Sequence, residues 1–209
     1  MLNHIKHKLD HLGHKKVIII AFLIAFIIRL IPELISYPYP IGWDTIYYAY
    51  RIENVVLFGF WDHITSSWLL YGILIFLGNL TQMSPFLILK IVAPLFYATT
   101  SAGIYFIAWK KLQWTPTKSL LPALIFTFSV ASLAISWQFH RNMLGLALLL
   151  FVIPLIKTNI SWKETAVLSI LSLLITWGHE LSTISLFFII LCYSIYNLFH
   201  NKKLPHKLI

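Results

Sequence analysis

The residues best suited to chemistry are charged groups that stand at the ends of apolar runs. Asp44 follows residues 37–42, in which prolines stop a helix and a glycine permits a tight turn. Its carboxylate is thereby fixed near an apolar run, where it can act as a general base or a metal ligand. The alternative is that Asp44 only caps a helix beginning near Thr45.

Basic residues near the same kind of boundary suggest an anion site. Arginine binds carboxylate and phosphate through a planar fork, whereas lysine acts as a point charge. Arg29 stands one helical turn before Glu33 and can pair with it. Arg141 follows His140, and Lys90 lies near the start of a later apolar run. We expect Arg29, Lys90 and Arg141 to bind phosphate, although snorkelling to the interface explains Lys90 equally well.

Histidines and further acids can complete a metal site. Asp44, Asp62 and His179 together offer the ligands that Mg²⁺ or Mn²⁺ accepts, and less readily Zn²⁺. Glu180 can instead pair with Arg141 in a purely structural role. The other residues expected to line the pocket are Glu33, His63, His140 and Glu180.

Four histidines near the N-terminus, His4, His7, His11 and His14, recur at spacings of three and four. This spacing puts them on one face of a helix. A metal site is one interpretation. An amphipathic helix at the membrane interface, with lysines between the histidines, is the interpretation that we favour.

The elements that must position these residues are transmembrane helices. The 209 residues are 59% apolar and only 11% charged, and the mean hydropathy is +0.80. Several apolar runs approach the roughly 20 residues that cross about 30 Å of hydrocarbon. The lysines stand in short clusters between these runs, which is typical of cytoplasmic loops and not of a nucleic-acid-binding surface. The one cysteine, Cys192, excludes an internal disulfide.

The distribution of charged residues indicates which apolar runs cross the membrane. The seven apolar runs cover residues 17–35, 64–78, 85–109, 119–137, 142–156, 164–177 and 181–199. If all seven crossed, three lysine clusters would lie outside, against the positive-inside rule. We therefore predict that residues 64–78 lie at the outer interface or re-enter, leaving six spans. Residues 142–156 and 164–177 rise only about 22 Å and 21 Å, so their polar outer ends should be recessed.

This topology sorts the charges by type. The outer side keeps four of the 16 basic residues. These are Lys90 and all of the arginines, Arg29, Arg51 and Arg141. Most acids are also outer: Glu33, Asp44, Glu53, Asp62 and Glu180. Ionised groups at membrane depth are costly unless they face a cavity and are paired, so this gathering predicts a functional site.

An arginine late in the first span, followed by a short outer loop with an acid and aromatics, resembles the GT-C superfamily of membrane glycosyltransferases. The residues that carry the resemblance are Arg29 and the sequence Asp44-Thr-Ile-Tyr-Tyr48. In that family the loop acid is a catalytic base or metal ligand, and the donor is a polyprenyl-phosphate sugar. His140-Arg141 resembles the polar turn that lines the donor site, and His179 stands where a histidine can meet metal or phosphate. The family's paired acids are missing, since Thr45 follows Asp44, and the resemblance covers only the N-terminal half of the family's usual length.

We therefore expect an all-α bundle of six spans plus one juxtamembrane or re-entrant helix. Residues 1–16 form a cytoplasmic basic, histidine-rich segment, residues 17–200 the bundle with an outer loop at 36–84, and residues 201–209 a cytoplasmic tail. The expected function is transfer of a sugar from a polyprenyl phosphate on the extracytoplasmic side of the plasma membrane. The alternatives are a transporter or flippase-like subunit, or a non-catalytic scaffold, and a second membrane chain can complete the fold in either case.

Overall fold

The computed structural model describes residues 2–39, 41–54 and 68–201, with side chains for residues 7–39, 41–54 and 68–199. Regular structure in these ranges is helical throughout. The helices are α1 (Leu2–Ile35), α2 (Trp43–Glu53), α3 (Trp68–Thr81), α4 (Pro85–Lys110), α5 (Pro116–Phe128), α6 (Val130–Gln138), α7 (His140–Val152), α8 (Trp162–Gly178) and α9 (Glu180–Asn201). A short 3-10 turn, Ile153–Leu155, follows α7.

Three of these helices are long and apolar enough to cross a membrane: α1 over His7–Ile35, α4, and α9 over Glu180–Phe199. The pair α5 and α6 makes a fourth candidate if the two are counted as one span. Helices α3 and α7 are apolar but shorter, and α8 has only 17 residues. The expectation of a helical membrane protein is thus confirmed at the level of three or four candidate spans.

The run at residues 119–137, which we expected to cross as one segment, contains a break. Ser129 has an extended backbone, and the axes of α5 and α6 differ by 61°. The Ser129 side chain caps α6 by accepting from the Ser132 N–H at 3.4 Å. On the other side of the break, the Tyr97 hydroxyl lies 3.0 Å from the Phe126 carbonyl and 2.9 Å from the Thr127 carbonyl. A break in an apolar helix persists only where its freed backbone groups find such partners.

Helix α3 contains the described part of the segment predicted not to cross, and residues 64–67 lie outside the described ranges. Its 14 residues rise about 21 Å, which is less than the hydrocarbon thickness. The helix packs Leu70 and Leu74 against Ile88 and Val92, which are in the first two turns of α4. It therefore lies beside one end of α4, and its placement at the interface or as a re-entrant segment stays a prediction.

Helix α4 is the centre of the bundle. In its most apolar stretch 67% of the residues are buried, against 22% for α1 and 17% for α9. It packs on α1, α5 and α7, and small side chains allow the close approach. Ala21 of α1 and Ala123 of α5 are fully buried beside Tyr105 of α4. Close packing through small residues is the usual means by which helices associate where no water drives them together.

Polar groups of the described chain collect at the two ends of the bundle. At one end Asp10 accepts from the Thr117 N–H at 3.0 Å, and Lys111 donates to the Ile156 carbonyl. At the other end the last turn of α1 meets the first turns of α4 and the junction between α6 and α7. The second end carries Arg29, Glu33 and Lys90 and is the one that concerns function.

The N-terminal histidines do not share one face, contrary to the expectation from their spacing. Gly13 adopts φ 71° and ψ 162°, which interrupts α1 between His11 and His14. His14 turns into the bundle, where its Nδ1 lies 3.0 Å from the Tyr105 hydroxyl and its ring stacks on Trp109. His7 and His11 stay exposed, and the side chain of His4 lies outside those described.

The contact between α4 and α7 gives a test of the packing. A Cβ at Gly103 would lie 2.7 Å from the Leu150 Cβ, so Gly103→Ala must force the two helices apart. We expect the protein in detergent to lose about 1–3 kcal/mol of unfolding free energy, measured as a lower thermal midpoint.

The matched control is Gly78→Ala on α3, where the nearest atom to a new Cβ is the Ile88 Cδ1 at 3.6 Å. That variant should be neutral or slightly stabilising, because alanine favours a helix by about 1 kcal/mol over glycine. Equal midpoints for the two variants would show that α4 and α7 are not in this contact.

Candidate active site

Two breaks between helices bring polar residues together at one end of the bundle. The chain turns at Phe139, between α6 and α7, and at His179, between α8 and α9. The two turns lie side by side because Gly145 has no side chain. A Cβ there would lie 2.6 Å from the His179 Cβ. The first turns of α7 and α9, which carry Arg141 and Glu180, consequently adjoin.

A buried ion network ties this end to α1 and α4. Arg29 donates from Nη1 to the Glu33 Oε1 at 2.7 Å, and Lys90 Nζ contacts the Glu33 Oε2 at 3.2 Å. The exposed fractions are 0% for Arg29, 4% for Glu33 and 7% for Lys90. The pairing of Arg29 with Glu33 that the sequence predicted is confirmed. One carboxylate is set against two cations, so the network carries an excess of positive charge.

Further donors of the two cations are also engaged. Arg29 donates from Nε to the Ser136 Oγ at 2.8 Å and from Nη2 to the Ser136 carbonyl at 3.3 Å. Lys90 donates to the Glu33 carbonyl at 3.0 Å and to the Ser36 Oγ at 2.9 Å. The Glu33 carbonyl belongs to the last turn of α1, where carbonyls lack a helical partner. Lys90 therefore points inward and does not snorkel, and phosphate binding by Arg29 or Lys90 stays a prediction.

Helix α2 presents Asp44 at its beginning. The helix begins at Trp43 with Gly42 as its N-cap, and glycine has no side chain with which to cap it. Gly42 has φ 84°, and a Cβ there would lie 2.0 Å from the Trp137 carbonyl, so only glycine fits. Asp44 lies in the first turn and is half-buried, so the alternative that it is the helix cap is wrong. A carboxylate in a first turn is favoured by the helix dipole.

Tyr48, one turn after Asp44, connects α2 with α7. Its side chain interacts with Arg141 and lies within electrostatic reach of Asp44. Burial raises the pKa of Tyr48 to about 12, although Arg141 opposes the change. The hydroxyl is therefore protonated at neutral pH.

His179 and Glu180 adjoin Arg141 from the other turn. The His179 Nε2 lies 3.9 Å from the Glu180 Oε2, and both residues interact electrostatically with Arg141. Burial lowers the pKa of His179 and Arg141 lowers it further, while Glu180 opposes them. His179 is consequently a neutral imidazole at neutral pH, with one nitrogen able to accept a proton or a metal ion.

His140 fills the space between α2 and α7. It is 2% exposed, its Nε2 lies 3.0 Å from the Thr45 Oγ1, and its ring centroid is 5.4 Å from that of Tyr48. Since Thr45 Oγ1 also donates to the Ile41 carbonyl, it accepts from His140. His140 thus packs against Thr45 and Tyr48 and is itself buried.

Sequence reasoning missed Tyr48, Tyr71 and Arg51 as members of this cluster. The Arg51 guanidinium carbon lies 4.8 Å from the ring centroid of Tyr71, and the Tyr48 and Tyr71 rings are 6.0 Å apart. One signal was present, because Asp44, Tyr48 and Arg51 are spaced by four and three residues and so share a face of one helix. The contribution of Tyr71 from α3 could not be seen, because no spacing relates it to α2.

The metal prediction is not tested by this geometry. No group of three or more His, Cys, Asp or Glu with metal-binding geometry occurs among the described residues. Asp62 and His63, two of the predicted site residues, lie outside the described ranges. Asp44 interacts electrostatically with Tyr48, and His179 interacts electrostatically with Arg141.

An open groove of about 400 Å³ lies between the start of α2 and the end of α6. Its lining residues are Ile41, Gly42, Trp43, Ile46, Trp137 and Gln138. The Gln138 side chain accepts from the Trp43 N–H at 2.9 Å and so holds the start of α2 against α6. The Trp137 Nε1 is buried and has no hydrogen-bond partner among the residues that the structure describes.

Comparison of the chain with models of known protein families, with curated proteins and with solved structures found no match.

Glu33 supplies a direct test of the buried network. Glu33→Gln leaves two buried cations without a counter-charge, and breaking a buried pair in this way costs about 3–5 kcal/mol. We expect a large drop in the thermal midpoint in detergent, and a partial recovery in the double variant Glu33→Gln/Lys90→Met, because one of the two stranded charges is then gone.

Glu53→Gln is the matched control, since Glu53 is an exposed carboxylate at the end of α2. Exposed substitutions of this kind usually change stability by less than about 0.5 kcal/mol. A midpoint for Glu33→Gln that equals the one for Glu53→Gln would contradict the network.

Proposed function

We propose that the chain is a membrane glycosyltransferase of GT-C type, or one part of one, which takes a sugar from a polyprenyl-phosphate donor. The observation that carries the proposal is the meeting of Asp44, Tyr48, Arg141 and His179 in one polar neighbourhood at the end of an apolar bundle. A lipid-linked sugar has an apolar tail and an anionic head. A site with charged groups beside transmembrane helices suits both parts of such a substrate.

Arg141 is the proposed phosphate binder. Breaking the bond between sugar and phosphate leaves negative charge on the phosphate, and donors placed in advance stabilise that charge. Arg141 lies in the first turn of α7, where free backbone N–H groups and the helix dipole also favour an anion. The Tyr48 hydroxyl can add a further donor. The excess positive charge of the network of Arg29, Glu33 and Lys90 also favours the binding of an anion.

Asp44 is the proposed general base. It is half-buried, so an acceptor hydroxyl can reach it, and it stands one turn from the Tyr48–Arg141 pair. This spacing places the base near the phosphate binder. The reaction requires this proximity, because the acceptor oxygen must bond to the sugar carbon that the phosphate leaves. A positioned base contributes about 10²- to 10⁴-fold to rate.

Asp44, Asp62 and His179 remain the proposed ligands for Mg²⁺ or Mn²⁺, and less readily for Zn²⁺. The lowered pKa of His179 supports a ligand role, because a metal binds the neutral imidazole. A bound divalent ion would supply further positive charge at the leaving phosphate.

The groove between the start of α2 and the end of α6 is the proposed entry for the acceptor. Trp43, the residue before Asp44, is 84% exposed and Trp137 forms the facing wall, so a small polar molecule with an apolar face can lie between them.

We further propose six membrane crossings, with α2 and α3 on the extracytoplasmic side and both chain ends in the cytoplasm. Contacts among helix ends support this arrangement. The end of α1, the start of α4 and the turns at Phe139 and His179 lie together, while Asp10, Thr117, Lys111 and Ile156 lie at the other end. The plasma membrane as location and a second membrane chain as partner are parts of the same proposal.

Replacing Asp44 tests the catalytic assignment. We expect Asp44→Asn to lower by at least about 10²-fold the release of polyprenyl phosphate from polyprenyl-phosphate mannose or glucose in membranes that contain the protein, because the base is lost. Measuring the released lipid phosphate requires no knowledge of the acceptor.

Glu53→Gln serves again as the control, since it removes a carboxylate from the same helix outside the polar neighbourhood. The assignment would be refuted if the Asp44→Asn variant released lipid phosphate at the wild-type rate. A transporter, in contrast, would carry the intact lipid-linked sugar across the membrane and release no lipid phosphate at all.

The topology is tested by labelling single cysteines from either side. Cys192 is exposed on α9 and is first replaced by alanine. An impermeant maleimide applied to intact cells should then label a cysteine at position 79 but not one at position 110; both positions are exposed. Labelling of position 110 from outside would reject the six-crossing arrangement.

A further inference from the structure

Two histidines form a close pair on the part of α1 that precedes the Gly13 break. The Nε2 atoms of His7 and His11 are 3.3 Å apart, and the ring centroids are 4.3 Å apart. Because the nitrogens are closer than the centroids, the rings converge toward their Nε2 edges. Both side chains are exposed and lie one helical turn apart.

The separation of the two nitrogens fits a metal chelate. Zinc binds imidazole nitrogen at about 2.0–2.1 Å in a tetrahedral arrangement, so two nitrogens of one tetrahedron are about 3.3–3.4 Å apart. A hydrogen bond between the rings is the arrangement without metal, in which one Nε2 donates to the other. A zinc ion can replace the shared proton with only small side-chain rotations.

Neighbouring groups that could compete for these rings are engaged elsewhere. His14 contacts Tyr105 and stacks on Trp109, with ring centroids 4.6 Å apart. Asp10, between the two histidines, accepts from the Thr117 N–H. The pair is therefore separate from the contacts that hold α1 against α4 and α5.

We infer that His7 and His11 form a binding site for Zn²⁺ at the end of the bundle opposite the candidate active site. The two imidazoles leave the other positions of a tetrahedral ion for water or further ligands. A chelate across one turn also holds that turn helical, directly before the flexible backbone of Gly13. This inference does not depend on the proposed sugar transfer.

Zinc binding is measured on the full chain in detergent micelles, by competition with a chromogenic zinc indicator. We expect one zinc equivalent in the wild type. Loss of a residue that only supports a metal ligand lowers metal affinity by about 10- to 100-fold. Because His7→Gln and His11→Gln each remove a ligand itself, we expect the zinc affinity to fall by at least this factor. His14→Gln is the matched control, because it removes one imidazole from the same helix but not from the pair.

A second measurement guards against misfolded variants. Zinc should slow amide hydrogen exchange over residues 7–11 in the wild type and in His14→Gln, and have no effect there in His7→Gln. The inference is overturned if the wild type binds no zinc more tightly than the double variant His7→Gln/His11→Gln, or if His14→Gln loses as much affinity as His7→Gln.

Discussion

The carboxylate of Glu33 is the group on which the polar end of this bundle depends. Two cations from different helices reach it, and neither tolerates burial without it. Through Arg29 it also fixes Ser136 near the end of α6, and through Lys90 it fixes the first turns of α4. Because α6 ends at Gln138, which holds the start of α2, the position of Asp44 follows indirectly from the same interaction.

This dependence separates two kinds of charged residue that look alike in the sequence. Arg29 and Lys90 have their donors turned toward groups of the protein, whereas Arg141 and Asp44 are only half-buried. Burial of Arg29 and Lys90 costs desolvation energy, which their ion pairs offset. Because the pair of Glu33 and Lys90 joins α1 and α4, it holds these helices in position. The second kind keeps part of its surface open, as the proposed roles in base catalysis and phosphate binding require.

The helical membrane class could be predicted because hydrophobic length is a property of local sequence. The helical membrane class and the pairing of Arg29 with Glu33 follow from composition and spacing. The break at Ser129 could not be predicted, since the donor that stabilises it is Tyr97 on another helix. The turn of His14 into the bundle depends on one backbone angle at Gly13. Tyr71 joins the site from α3 by tertiary packing alone. The metal set stays a prediction, because Asp62 lies outside the described ranges.

The elbow between α5 and α6 has a consequence for specificity. The Tyr97 hydroxyl contacts the Phe126 and Thr127 carbonyls before the break, and the Ser129 side chain caps α6 after it, so both sides of the bend are held by hydrogen bonds. These bonds oppose a swing of α6, which forms one wall of the groove. If the proposed function holds, this wall limits the size of the acceptors that the groove admits.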